Sequence, residues 1–158
     1  MKNYLLFFII IIFACIQVTA LNYFRIFSVK PDILFISMVA VSLLYSPIWA
    51  ISFSIFAGML KDLLGVSAPC LNTVLFPIWC LIIIRLGKKI SLDSNLARVI
   101  LIFLLIIIND IVVRTINLSA GSFTSSGIFF KILFLESIYT ALVSPLIFRA
   151  IQHPFFAS

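Results

Sequence analysis

Val99-Ile100-Leu101-Ile102-Phe103-Leu104-Leu105-Ile106-Ile107-Ile108 runs without one polar side chain, and Leu5 to Ala14 is a second stretch of the same character. Neither alternates apolar with polar residues, so neither fits a strand of a closed barrel, the one β architecture that spans hydrocarbon. A segment surrounded by lipid must bond its own backbone N–H and C=O groups, which leaves the α-helix. The chain around these runs has 158 residues, 64% of them apolar and 10% charged. That is more hydrophobic side chain than one soluble core of this size can hide. The reading is an all-α, polytopic integral membrane protein with a single transmembrane domain over residues 1–158.

Just before the Val99 run, Arg85-Leu86-Gly87-Lys88-Lys89 and Arg98 form the densest basic cluster of the chain. Short basic groups between apolar runs favour the cytoplasmic side and the headgroups of anionic lipids. The net charge of +6 therefore points to membrane lipid as a partner and not to nucleic acid. Spans are expected at Tyr4 to Ala20, Leu71 to Leu86 with Pro77 inside it, Leu96 to about Ile116, and Ile128 to about Ile151. Gly87 reads as a helix stop, Asp93 and Ser94 as candidate N-caps, and Ser119 to Gly127 as a polar link. Lys2 and Val18-Thr19-Ala20 imitate a signal peptide, but the apolar run between them is nearer to span length than to a signal core, so an uncleaved first span is expected.

In the middle of the chain, Ser28-Val29-Lys30-Pro31-Asp32 reads as a turn. Pro31 blocks continuation of a helix, and Asp32 can accept the orphan N–H groups that open the next one. The stretch from Ile33 to Leu64 has two readings. Tyr45-Ser46-Pro47 is either a tight turn between two helices, for six spans in all, or a kink in one long helix, for five. A separate helix from Ile33 to Tyr45 would be only about 20 Å long against a hydrocarbon core of roughly 30 Å. It would have to stand nearly upright, thin the bilayer or hide among neighbours. Six spans place both termini, with Lys2 and Arg149, on the cytoplasmic side with the basic cluster, whereas five put Lys2 outside. Lys30 and Lys61 count against both schemes.

On a helix from Pro47 to Leu64, the residues Ala50, Ser54, Gly58 and Asp62 fall at four-residue steps and share one face. Three small side chains there let another helix come close, as ordinary packing or as contact with a partner protein. Gly65 is a candidate left-handed C-cap for that helix, Asp62 a carboxylate near its end, and Lys61 a candidate for snorkelling to the interface. In the following apolar runs, Asn109, Asp110, Arg114 and Glu136 interrupt the hydrocarbon pattern. One such ion in lipid costs at least about 2.5–3.5 kcal/mol, so these groups are expected to face inward and be paired. The i, i+4 spacing suggests Asp110 with Arg114, and Glu136 is a competing acid. A structural ion pair and a proton or substrate pathway are both open readings.

Catalysis has little to build on. The one histidine, His153, has no acid or nucleophile near it in sequence. No Gly-rich phosphate loop, Gly-x-Ser-x-Gly elbow or metal-ligand spacing is present, and Cys15, Cys70 and Cys80 suggest neither a disulfide framework nor a zinc site. No catalytic residue, metal or cofactor is expected.

Three motifs in the middle third carry a likeness: Lys30-Pro31-Asp32-Ile33-Leu34, Phe56-Ala57-Gly58-Met59-Leu60-Lys61-Asp62-Leu63-Leu64-Gly65, and Leu71-Asn72 opening a span that ends in Arg85. The stretch from about Lys30 to Lys89 resembles the bacterial rod-shape-determining protein MreD family. Where that family has Gly-Leu-Asn, this chain has Cys70-Leu71-Asn72. The resemblance implies a non-enzymatic scaffold in the inner membrane that serves cell shape and wall elongation. Its implied partners are an MreC-like bitopic membrane protein and other wall-elongation proteins, with no small-molecule substrate. It also implies an architecture similar to the six-helix substrate-binding subunits of energy-coupling-factor transporters. A vitamin-type binding subunit of a transporter is therefore the alternative function.

Overall fold

The computed structural model describes residues 8, 10–17, 19, 31–64, 70–89, 95–119 and 126–156. All regular structure among them is helical: α1, of which residues 10–17 are described, α2 (Ile33–Leu44), α3 (Pro47–Leu64), α4 (Leu71–Lys89), α5 (Asn95–Ser119) and α6 (Ser126–Phe156). Four helices, α3 to α6, are long and apolar enough to cross a membrane by length and composition. Their outward faces carry bare aliphatic side chains, among them Leu142 at 70% and Leu146 at 73% exposure. Apolar surface of this kind has lipid as its natural solvent.

The helix α2 is the centre of the molecule. Ile33 through Ser42 are all buried, as a helix apolar on every side requires. Its two hydroxyls turn back on their own helix, Ser37 donating to the Leu34 carbonyl at 2.8 Å and Ser42 to that of Met38 at 2.7 Å. The hairpin α3–α4 packs on one flank and the hairpin α5–α6 on another, so that α2 bridges the two. At twelve residues it is about 18 Å long. Of the three ways a short apolar helix can survive in a membrane, this one hides among its neighbours.

Tyr45-Ser46-Pro47 is a turn between two helices. The Tyr45 backbone is extended, with ψ at 167°, and its N–H donates to the Val41 carbonyl. Pro47 is the first residue of α3, where its missing N–H removes nothing the helix would have used, and the Ser46 carbonyl accepts from Ala50 N–H at 3.0 Å. One expectation is corrected: Gly87 does not stop its helix, because α4 continues through it to Lys89. The apolar span within α6 ends at Ile151, as expected, while the helix itself runs on to Phe156. The candidate caps Gly65, Asp93 and Ser94 lie outside the described residues.

Cys70, directly before α4, has φ at 63°, the left-handed region. An L residue there is strained by about 1–2 kcal/mol, and glycine is not. Cys70→Gly should therefore raise stability by roughly 0.5–1 kcal/mol after allowance for the looser unfolded chain. The measurement is the thermal midpoint of the purified protein in detergent, with Cys70→Ala as the control for loss of the thiol. A glycine variant no more stable than the alanine variant would contradict the strain.

Candidate functional site

At the start of α2, a helix N-terminus with its unpaired N–H groups lies inside the protein. Asp32 answers it as the turn motif implied: its Oδ1 accepts from Phe35 N–H at 3.1 Å, and its carbonyl begins the helical ladder by accepting from Ile36 N–H. Gln17 of α1 adds a second clamp, its Oε1 accepting from Leu34 N–H at 3.0 Å and its Nε2 donating to Asp32 Oδ1 at 3.5 Å. The Asp32 N–H in turn donates to Thr140 Oγ1 at 3.2 Å, roughly midway along α6. The first residues of α2 thus sit at the depth of the middle of a longer helix.

Lys61 donates to Asp32 Oδ2, forming an ion pair whose side chains are 22% and 8% exposed respectively. Its ammonium also lies 5.2 Å from the centre of the Phe76 ring, which meets Phe35 edge to face at 5.7 Å. Lys61 is therefore not a snorkelling side chain but the counter-ion of the helix cap. The charges of Asp110 and Glu136 also act on it. Asp110 does not form the expected i, i+4 pair with Arg114: its Oδ1 accepts from Asn109 Nδ2 at 3.3 Å, and its Oδ2 is buried with no hydrogen-bond partner. Asn109 in turn accepts from Trp79 Nε1 of α4 at 3.1 Å. Two polar clusters thus lie inside the bundle: Gln17, Asp32, Lys61 and Thr140 around the start of α2, and Trp79, Asn109 and Asp110 between α4 and α5.

A second junction lies one residue beyond Lys61. Asp62 Oδ1 accepts from the backbone and side-chain nitrogens of Asn72 at 3.0 and 2.8 Å, and Oδ2 accepts from the N–H and hydroxyl of Thr73 at 2.8 and 2.7 Å. These backbone donors are the second and third N–H groups of α4, the pair an N-cap side chain normally takes. Asp62 caps the next helix from the end of the previous one. This is made feasible by Gly58, one turn earlier on the same face, where an added Cβ would lie 2.5 Å from the Asn72 carbonyl oxygen and 2.7 Å from Thr73 Cα. Ala50 and Ser54 complete that buried face, the Ser54 hydroxyl donating to the Ile51 carbonyl. Backbone has come to within contact of backbone, as small residues on membrane helices permit.

Five of these participants were not singled out by sequence: Gln17, Thr140, Trp79, Thr73 and Lys61 as a counter-ion. Only Lys61 carried a signal, since a lysine inside an apolar helix demands a partner. Among the described residues, no group of three or more His, Cys, Asp or Glu side chains could hold a metal ion. What the arrangement does chemically is to neutralise buried charge and fix helix register. In comparison with known proteins, no family model, no curated protein and no solved structure matches the chain.

Proposed function

We propose that the protein is a non-enzymatic scaffold of the bacterial inner membrane, a component of the cell-shape and wall-elongation machinery that docks a bitopic partner protein. The observation carrying this reading is where the MreD-like motif residues fall. Asp32, Gly58, Asp62 and Asn72 meet in two joints between helices, and Cys70 holds the left-handed backbone at the position where the family pattern has glycine. Residues that build a rigid frame are what a docking component needs.

In this reading the chain crosses the membrane six times with both termini cytoplasmic, in the arrangement of the energy-coupling-factor substrate-binding subunits. Arg85, Lys88 and Arg98 then share the cytoplasmic end with Arg149. Lys61, which stood against that count, belongs to an internal ion pair and leaves the tally. The buried, unsatisfied Asp110 Oδ2 favours a second reading, a small-molecule-binding subunit of a transporter that uses Asn109, Asp110, Arg114 and Glu136.

The test is purification of the tagged full chain from membranes in mild detergent, followed by mass spectrometry of everything that stays with it. A single-pass membrane protein of the wall-synthesis machinery is the expected companion. Recovery of no other membrane protein together with a tightly held small molecule would overturn the scaffold and favour the transporter subunit.

A further inference from the structure

At the end of the bundle opposite the Asp62 joint, three element ends converge: the turn at Tyr45, the last turn of α4 and the first turn of α5. Between them lies a cavity of about 320 Å3 with Leu43, Tyr45, Ile84, Gly87, Lys88 and Arg98 in its wall. Lys88 is exposed, and the guanidinium of Arg98 is seated 5.7 Å from the centre of the buried Phe148 ring. Two cationic residues thus line a cavity whose remaining wall is mostly apolar, with Ser42 and Tyr45 as its other polar side chains.

Gly87 is the second observation. A glycine inside a helix is about 1 kcal/mol worse than alanine, so its presence within α4 asks for a reason. A Cβ at this position would come within 3.1 Å of Leu43 Cδ2, on the cavity wall. A larger side chain would have to displace Leu43 and so reshape the wall. Burial pushes the Tyr45 phenol up to about 12, so that wall also carries a phenol that keeps its proton.

We infer that this cavity is a binding site for the phosphate headgroup of an anionic phospholipid, gripped by Lys88 and Arg98 with its acyl chains against the apolar rim. The site lies at the ends of apolar spans, where headgroups are found, and basic pockets between membrane helices suit such groups. Beside the wall residues in sequence are Ile48 at 76% and Leu96 at 70% exposure. Such aliphatic surface suits acyl chains and gives a free anion nothing.

The test uses the full-length protein in detergent micelles, titrated with phosphatidylglycerol or phosphatidylcholine, with bound lipid counted by native mass spectrometry. Phosphatidylglycerol should bind in preference to phosphatidylcholine, and the double substitution Lys88→Gln with Arg98→Gln should weaken it roughly 30-fold, as loss of two headgroup cations implies. Lys88→Gln alone, at an exposed position, should weaken it about fivefold. Gly87→Leu should also weaken it with both cations in place, while Arg149→Gln, the same charge change outside the cavity wall, should leave it unaltered. Wild-type retention in the double variant, or equal loss in Arg149→Gln, would overturn the site. Displacement of the lipid by excess inorganic phosphate would show a site for a free anion and overturn the lipid assignment.

Discussion

Lys61→Met should lower the stability of the purified protein by about 3–5 kcal/mol, the usual result of removing one partner from a buried ion pair. Asp32 would keep its Oδ1 contacts with Phe35 N–H and Gln17, but its Oδ2 would hold a charge with no ammonium to receive it, at a site only 8% exposed. Asp32→Asn in the same background should recover at least half of the loss. An asparagine oxygen can still cap α2, and the orphaned charge is gone. Recovery should be incomplete, because Lys61 also answers Asp110 and Glu136. Thermal unfolding of the two single variants and the double variant in one detergent gives the coupling directly. A double variant as unstable as Lys61→Met alone would mean that the pair is not what holds this site.

The same residues show how far a sequence reading reaches. Pro31-Asp32 was legible because capping is local: the acid and the N–H it binds are three residues apart. The small-residue face of α3 was legible because it needs only helical periodicity. Its occupant was not, since nothing in the four-residue spacing of Ala50, Ser54, Gly58 and Asp62 says that α4 arrives there end-on with open N–H groups. Tyr45-Ser46-Pro47 could be read as turn or kink because Pro47 suits the first position of a helix as well as a bend. What separates them is the burial of α2 on every side, a tertiary fact. Asp110 misled because spacing proposed Arg114, while in the fold its hydrogen bond comes from its chain neighbour Asn109, which Trp79 of α4 holds in turn. Gly87 read as a stop from its identity alone, yet the helix tolerates it and the structure gives the position a cavity wall to form.

Lys61 bears on topology as well as stability. A lysine counted by position alone falls near the end of α3 and argues for that end being cytoplasmic. Buried against Asp32, it is half of a neutral pair and exerts no such preference. Among the other basic residues, Arg85, Lys88, Arg98 and Arg149 lie toward the opposite end of the bundle. Charge counting in membrane chains thus depends on knowing which charges have internal partners.

Gly58→Ala should destabilise the protein by about 2 kcal/mol or more, and the sign is the informative part. Helix propensity alone predicts the reverse, since alanine in a helix interior is better than glycine by about 1 kcal/mol. Against that gain stands a methyl carbon 2.5 Å from the Asn72 carbonyl oxygen and 2.7 Å from Thr73 Cα. These are backbone atoms of the first turn of α4, so no rotamer change can relieve the contact, and overpacking of this kind costs about 1–3 kcal/mol. Moving α4 away to make room also stretches the four hydrogen bonds that Asn72 and Thr73 give Asp62, each to a charged acceptor and worth about 1.5–3 kcal/mol. The close approach and the cap are therefore one device: Gly58 sets the distance at which the Asp62 carboxylate can reach. Combining Gly58→Ala with Asp62→Ala should be less harmful than the sum of the two, because the first change already loosens what the second removes. An alanine variant as stable as the parent, or more so, would show that the helices are free to part at this point and that Asp62 caps α4 independently of the glycine.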